Sequence, residues 1–330
     1  MGMAQWGNDL YTGKASVPFV QRRRLWFVIA IALIAVSILA PFVRGVEFSI
    51  EFTGGSQFTV SGPSSTDQTV ATDAVREVVP DAEAKVTVIG DSDIRVQTSQ
   101  MTQEETRTVA SALAEAYDVP ASEVADSYIG PTWGADVTRQ SLWGLGVFLA
   151  LTFIILAIYF RTWKMSVAAI VGLVDVLVIT IGVYSLAGFE ISPAAVIGFL
   201  TILGYSLYDT TVVFDKVREN TSEDGEISGR TFGESVNLGV NQTLIRSINT
   251  SIVAALPVAA ILFIGVLWLG AETLSDISLS IFVGILVATY STLFVSAPLY
   301  SLMREKEPEI AQRDARILAA RETVAAEAKE

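Results

Sequence analysis

The stretch RRRLWFVIAIALIAVSILAPFVRG, residues 22–45, joins three consecutive arginines to an unbroken apolar run. The run covers residues 25–43 and contains no charged side chain. Its length is about what a helix rising 1.5 Å per residue needs to cross a bilayer. A cleaved signal peptide would have a shorter apolar region, and Pro41 directly after Ala40 spoils the small-residue cleavage site. The stretch therefore predicts an uncleaved spanning helix.

Five more apolar runs follow the first, and each is long enough to cross a bilayer as a helix. Hydrophobic residues make up 51% of the chain and charged residues 17%, a balance typical of membrane proteins. Together these features predict an α-helical polytopic membrane protein with six spans. The five runs cover residues 142–160, 165–187, 191–214, 248–269 and 277–302.

The residue types that the chain lacks exclude several classes of site. It has no cysteine and no histidine, which removes disulfides, the usual zinc ligands and serine-histidine triads. Neither a phosphate-binding lysine loop nor a dinucleotide fingerprint follows a suitable strand, so no nucleotide cofactor is expected. The net charge of −13 argues against nucleic acid as a partner. We expect no metal site and no catalytic residue, and therefore not an enzyme.

Residues 44–138 form a polar domain between the first and second spans. Thr102 and Glu105 have the spacing of a helix capping box, and Gly54 with Gly55 indicates a bulge or positive φ within a strand. The order of predicted elements is β-α-β-β-α-β, which is typical of a ferredoxin-like α+β domain. The elements are a strand-rich segment at 46–60, a helix at 71–79, strands at 84–89 and 94–98 joined by a turn at 90–93, a helix at 102–117 and a strand at 124–129.

The distribution of basic residues predicts the orientation of the chain in the membrane. Short loops on one side of six spans carry arginine and lysine, whereas the loops near 188–190 and 269–276 carry none. By the positive-inside rule the basic side is cytoplasmic. The predicted organisation is a cytoplasmic segment at 1–24, the first span at 25–43, an extracytoplasmic domain at 44–138, a five-helix membrane domain at 139–303 and a cytoplasmic tail at 304–330. We expect the tail to be a solvated helix because its charges alternate with alanine.

Two aspartates lie within predicted spans, where a charge at the bilayer centre costs about 3 kcal/mol or more. Asp175 is near the middle of the third run, and Asp209 is nearer the end of the fourth. Tyr205 and Ser206 lie four and three residues before Asp209, so they share its helix face. Intramembrane carboxyls favour a proton relay, although a protonated aspartate that only packs between helices is the alternative.

Two more charged residues are candidates on position alone. Arg246 is predicted either to be a counter-ion inside the bundle or to extend to the interface. Asp276, at the mouth of the last span, is either a proton-entry group or a simple loop residue. The small polar residues near Arg246 favour helix packing and interhelical hydrogen bonds; they are Ser247, Asn249, Thr250 and Ser251.

Four ordered motifs resemble those of SecF, the smaller subunit of the SecDF protein-export complex, which is related to the RND proton-driven exporters. IEFTGGSQ, residues 50–57, is similar to the family's F-x-G-G element after the first span. GYSLYDTTVVFDKVREN, residues 204–220, resembles its fourth-helix signature. NQTLIRSINTS at 241–251 and VGILVATYSTLFVSAPL at 283–299 resemble those of the fifth and sixth helices. The resemblance covers about residues 20–303 and implies an RND-like six-span half.

The resemblance implies a role in protein secretion. With SecD, and docked on the SecYEG channel, such a subunit uses proton flow to pull or hold translocating unfolded polypeptides on the outer side of the cytoplasmic membrane. Protons would be the coupling ion and membrane lipid the surroundings. By motif, the proton-pathway residues would be Asp209, Arg246 and Asp276, with Asp175 matching a third-helix aspartate and with Gly204, Tyr205, Ser206 and Ser247 in support. The histidine that some relatives place before Asp175 is missing.

Two other functions remain open at the level of sequence. An RND-type exporter of small molecules or lipids would need a larger outer region and a second six-span half. An intramembrane aspartyl protease would use Asp175 and Asp209 as a pair that shares a proton. The G-x-G-D motif of such proteases is not present, since GLV precedes Asp175.

Overall fold

The computed structural model describes residues 3–82, 84–89, 93–222, 229–266 and 272–327. Six helices in these ranges are long and apolar enough to cross a membrane, so the prediction of six spans is confirmed. The first four are Arg23–Arg44, Pro131–Phe160, Trp163–Ala187 and Pro193–Thr221. The fifth, Phe232–Ala260, continues into a π-helical turn, Ile261–Val266. The sixth runs from Glu272–Ser291 through a π-helical turn, Thr292–Ser296, into Ala297–Arg304.

The second span begins at Pro131, well before its apolar run. Proline suits the first turn of a helix because its φ is already helical and the N–H that it lacks would have no partner there. The apolar run was predicted to start at residue 142 because hydropathy detects only the apolar part of a helix, not the polar turns that precede it. The predicted end of the fifth span, at 267–269, lies outside the described residues.

The polar domain contains its elements in the predicted β-α-β-β-α-β order. Strands β2 (Gly55–Val60), β3 (Ala84–Ile89), β4 (Asp93–Thr98) and β5 (Val124–Ile129) form one antiparallel sheet in the order β3-β4-β2-β5. The helices Gln68–Val78 and Gln103–Ala116 pack on the sheet around a core that includes Phe58, Ile94 and Leu113. The predicted turn at 90–93 falls mostly outside the described residues.

The capping box of the second domain helix is confirmed. The Glu105 backbone N–H donates to the Thr102 hydroxyl at 3.2 Å, and the Glu105 carboxylate accepts from the Thr102 backbone N–H at 2.7 Å. This backbone bond, with one from the Thr102 hydroxyl, holds the pKa of Glu105 below its usual value. Thr102 and Glu105 therefore cap the start of the helix Gln103–Ala116, as predicted.

One prediction in the domain is wrong in detail: residues 46–60 are not a continuous strand-rich segment. Strand β1 covers only Glu47–Phe48, and a four-residue helix, Ile50–Thr53, separates it from β2. The chain turns from this helix into β2 through Gly54 (φ 73°) and Gly55 (φ 132°). A Cβ on Gly55 would overlap the carbonyl oxygen of Thr98. Both glycines therefore have the positive φ that was predicted, but at a helix-to-strand turn.

Strand β1 leaves the polar domain and pairs in parallel with β6 (Glu190–Ile191), which lies between the third and fourth spans. The domain is therefore attached to the bundle by this β1–β6 ladder as well as by its two chain connections. Below the ladder, an apolar cluster that includes Phe52, Tyr184 and Phe199 connects the domain to the helices.

The charged tail is a helix, Pro308–Glu327, that is exposed along most of its length as predicted, but it also docks on the start of the fifth span. Its Asp314 carboxylate accepts from the Phe232 backbone N–H at 3.0 and 3.1 Å. Its Arg321 binds Glu234 with two hydrogen bonds of 2.9 and 2.7 Å. The charge pattern alone did not reveal these contacts, since the partners lie more than eighty residues away in the chain.

The N-terminal segment also rests on the fifth span. Asn241 accepts a hydrogen bond from the Val17 backbone N–H at 2.7 Å and returns one to the Val17 carbonyl at 3.0 Å. Asn237, one turn earlier, accepts from the Val20 N–H at 3.1 Å. Both ends of the chain are thus fixed to the first turns of one helix.

Candidate functional site

Asp209 lies inside the helix bundle with only 3% of its surface exposed. The Ser247 hydroxyl, on the fifth span, donates to Asp209 Oδ1 at 2.8 Å. Among the described residues, Oδ2 has no hydrogen-bond partner. A buried carboxyl with one unpartnered oxygen is costly to place in a helix bundle, because the buried polar atom has lost its contact with water.

A run of hydroxyl groups continues from Ser247 across three spans. The Ser251 hydroxyl donates to the Ser247 carbonyl at 2.8 Å and lies 2.5 Å from the Thr289 hydroxyl on the sixth span. The Tyr205 hydroxyl reaches Ser251 at 3.2 Å. The prediction that the polar residues here make interhelical hydrogen bonds is confirmed for Ser247 and Ser251.

The other two supporting residues lie on the helix of Asp209. Ser206 is buried with 1% exposure. Gly204 faces open space, since a Cβ there would meet nothing within 4 Å. The structure therefore places Ser247 in direct contact with Asp209, while Gly204 lies at the surface of the bundle.

Arg246 does not pair directly with Asp209 in the described part of the chain. It is exposed at the surface of the bundle, and its guanidinium donates to the Tyr208 hydroxyl at 3.3 Å. Successive helical residues are rotated by about 100°, so the turn that directs Ser247 at Asp209 directs Arg246 elsewhere. Arg246 is still near enough to attract the Asp209 charge. Arg246 therefore acts on Asp209 by charge attraction alone, without a direct ion pair among the described residues.

Asp175, with 2% exposure, lies at the contact between the third and sixth spans. Neither of its carboxylate oxygens has a hydrogen-bond partner among the described residues. The Ser291 hydroxyl donates to the Gly172 carbonyl at 3.0 Å, one helical turn before Asp175. A Cβ on Gly172 would overlap the Ser296 hydroxyl, so the glycine lets the two spans approach closely.

The π-helical turn of the sixth span connects the surroundings of the two aspartates. Its Thr292 hydroxyl lies 3.0 Å from the Thr210 hydroxyl, next to Asp209 in the chain. Its Ser296, at the other end of the turn, packs against Gly172 on the helix of Asp175. The π-helical turn was not predicted, and single π-helical turns within α-helices are frequent at functional sites.

Asp276 lies at the opposite end of the bundle from Asp209. Its carboxylate accepts from the Ser192 hydroxyl at 2.5 Å, and its backbone carbonyl accepts from the Tyr184 hydroxyl at 2.9 Å. Ser192 and Asp209 are separated by about 25 Å along the fourth span. The four candidate residues thus do not form one cluster: Asp209 and Asp175 are buried in the bundle, Arg246 is exposed at its surface, and Asp276 lies at its opposite end. Sequence reasoning missed Ser192 and Tyr184. The only signal for Ser192 is its position just before a helix, and the only signal for Tyr184 is that it is an aromatic residue within an apolar run.

The described residues contain no group of three or more side chains suited to hold a metal ion.

Comparison with known proteins assigns the chain to a family. Residues 108–306 match the family described as "Protein export membrane protein SecD/SecF, C-terminal", and residues 40–61 match the "SecD/SecF GG Motif". The SecF protein translocase subunit of Streptomyces coelicolor is 41% identical over 316 residues, covering 96% of this chain and 84% of its own. The chain belongs to the SecF family of protein translocase subunits. The SecF of Mycobacterium tuberculosis is 38% identical and is aligned with 94% of this chain and 72% of its own.

The fold also matches a solved structure. SecDF, a translocon-associated membrane protein from Thermus thermophilus, superposes with a TM-score of 0.75 at 30% sequence identity. The match covers 88% of this SecF-family chain and 39% of that SecDF chain, so this chain spans less than half of the larger protein's length. The second family match contains Gly54 and Gly55, and the first contains all four candidate charged residues.

Proposed function

We propose that this SecF-family chain, together with SecD, is an accessory subunit of the Sec translocase and uses the proton-motive force to promote protein export. The observation that carries the proposal is Asp209, a buried carboxyl within a spanning helix that has one oxygen bound by Ser247 and one without a partner. Such a group alternates between charged and neutral forms only when a proton reaches it.

Protonation of Asp209 would change the forces between the fourth and fifth spans. The neutral carboxyl loses its attraction to Arg246 and accepts more weakly from Ser247, because a charged acceptor makes the stronger hydrogen bond. The two helices then repack, and the change favours one of two bundle conformations. One elementary charge that crosses 100 mV supplies about 2.3 kcal/mol, so a few protons per cycle are enough to shift such an equilibrium.

The proposal includes the sidedness and the partners. Both chain termini lie in the cytoplasm, and the polar domain, which we take to be ferredoxin-like, is extracytoplasmic. The charge distribution supports this orientation, and the strand order β3-β4-β2-β5 supports the domain class. The domain would contact unfolded polypeptides that emerge from SecYEG. The names of the relatives, SecF and SecDF, support SecD as the partner.

The test is export of a secreted reporter protein into inverted membrane vesicles, measured with and without a proton gradient. Asp209→Asn should lower export to the level seen without a gradient, because an amide cannot take up the proton. The matched control is Asp215→Asn, an exposed aspartate on the same helix that accepts from the Tyr159 hydroxyl at 2.9 Å. Co-purification with SecD shows whether the complex is intact. Normal gradient-dependent export in Asp209→Asn would rule out the relay.

A further inference from the structure

The parallel ladder between β1 and β6 lies where the polar domain meets the membrane bundle. Glu47 is paired with Glu190, and Phe48 with Ile191. The Ser49 backbone N–H extends the ladder by donating to the Ile191 carbonyl at 3.1 Å. We call this ladder and its flanking charges the joint.

Two basic residues of the domain sheet neutralise the two glutamates of the joint. Lys85 on β3 lies 2.5 Å from the Glu47 carboxylate, and Arg95 on β4 lies 3.5 Å from the Glu190 carboxylate. The side chains of Arg95 and Glu190 are only 19% and 15% exposed, so water and salt screen this pair less than a surface pair. The charges thus connect the centre of the domain sheet to the loop between the third and fourth spans.

The underside of the joint is apolar. Val46 and Phe52, on the domain side, pack with Tyr184, Ile191 and Phe199 of the bundle. The second span also approaches closely, because a Cβ on Gly134 would overlap the Phe52 carbonyl oxygen. The outer end of the second span thus lies directly against the segment that precedes the two-glycine turn.

The joint is directly connected to Asp276. Ser192, the residue after β6, donates its hydroxyl to the Asp276 carboxylate at 2.5 Å. The Ser192 hydroxyl oxygen also accepts from the Ala195 backbone N–H at 3.1 Å and so caps the fourth span. Tyr184, part of the apolar underside, holds the Asp276 carbonyl. Loss of charge on Asp276 would weaken a contact one residue away from the ladder.

We propose that the joint transmits rearrangement at Asp276 to the polar domain, with Glu190 and Arg95 as its positioning residues. The inference rests on the proposed function, since it assigns the residues through which proton-driven change reaches the domain. A ladder of two residues is too short to be stable alone, so the joint opens and closes with the contacts around it.

The first experiment locks the joint with a disulfide. The chain has no cysteine of its own, so Glu47→Cys with Glu190→Cys introduces a single pair at neighbouring ladder positions, where strand spacing suits a disulfide. Oxidation should abolish gradient-dependent export into the inverted vesicles. Reductant should restore it to about a fifth of the parent level, because the reduced variant still lacks the Glu190 carboxylate that pairs with Arg95. The matched control is Thr59→Cys with Ala125→Cys, neighbours inside the domain sheet, for which oxidation should have no effect.

The second experiment weakens the joint without locking it, and it covers the case in which the cysteine pair disturbs folding. Arg95→Gln should reduce the gradient-dependent part of export by about fivefold, the low end of typical coupling between linked sites. Export without a gradient should be unchanged. Arg107→Gln, an exposed arginine on a helix of the same domain, is the control.

The outcomes separate the joint from the proposed function. If the parent protein shows no gradient-dependent export, both proposals are overturned. If the parent responds normally to the gradient, and both the locked pair and Arg95→Gln respond as it does, the joint alone is overturned.

Discussion

Asp314→Ala should release the C-terminal helix from the start of the fifth span. The Asp314 carboxylate occupies the backbone N–H of Phe232 with both oxygens, at 3.0 and 3.1 Å. Phe232 is the first residue of its helix, so this N–H has no partner within the helix. The carboxylate thus completes a cap that the Thr231 and Glu234 side chains begin.

The size of the effect follows from these contacts. A hydrogen bond with a charged partner contributes about 1.5 to 3 kcal/mol, and a carboxylate at a helix N-terminus adds about 0.3 to 1 kcal/mol. Arg321, which binds Glu234 with two hydrogen bonds, remains and holds the far end of the helix. The two terms overlap because they describe the same contact, so we expect a loss of about 1.5 to 3 kcal/mol, which raises the population of the undocked helix by about 10- to 150-fold.

Hydrogen exchange measured by mass spectrometry on the purified protein reports this population directly. Backbone amides of the helix Pro308–Glu327 should exchange about 10- to 150-fold faster in Asp314→Ala than in the parent. The matched control is Glu322→Ala, an exposed acidic residue on the same helix, which should leave exchange unchanged. Equal exchange in the two variants would show that the carboxylate does not hold the helix.

Two further predictions concern the first span and the joint. A Cβ on Gly182 would overlap Ser37 of the first span, whereas a Cβ on Gly144 would meet nothing within 4 Å. Gly182→Ala should therefore destabilise the protein by about 1 to 3 kcal/mol. A Tm equal to that of the control Gly144→Ala would contradict the close contact. Burial raises the pKa of Glu190, although the Arg95 guanidinium opposes the shift. The folded joint thus favours the protonated form, and its stability is greatest below the usual glutamate range and falls as pH rises through the raised pKa. Protection of the Ser49 amide, corrected for intrinsic exchange, should increase as pH falls; a Glu190→Gln variant with the same pH dependence would disprove this.

The sequence predicted the features that depend on local patterns. An apolar run long enough to cross a bilayer has few alternatives, so all six spans were found. The capping box of Thr102 and Glu105 needs only two residues three positions apart, and it is present in the structure. Glycine tolerates positive φ at no steric cost, and Gly54 and Gly55 both adopt it, as predicted.

The features that sequence reasoning missed depend on residues far apart in the chain. The ladder joins Glu47 to Glu190, and two-residue strands have no periodicity to detect. The docking contacts of the tail were missed because their partners, Phe232 and Glu234, are distant in sequence. Arg246 was a plausible counter-ion by position, but helix rotation decides whether it or Ser247 meets Asp209.

The attachment of both chain ends to the fifth span has a consequence for biosynthesis. Val17 is bound by Asn241, which lies 224 residues later. At about 5 to 20 residues per second, a ribosome needs roughly 10 to 45 s to make the intervening chain. During that interval the N-terminal segment has no docking partner and is open to chaperones or proteases. Synthesis of the fifth helix thus supplies the surface on which the N-terminal segment docks.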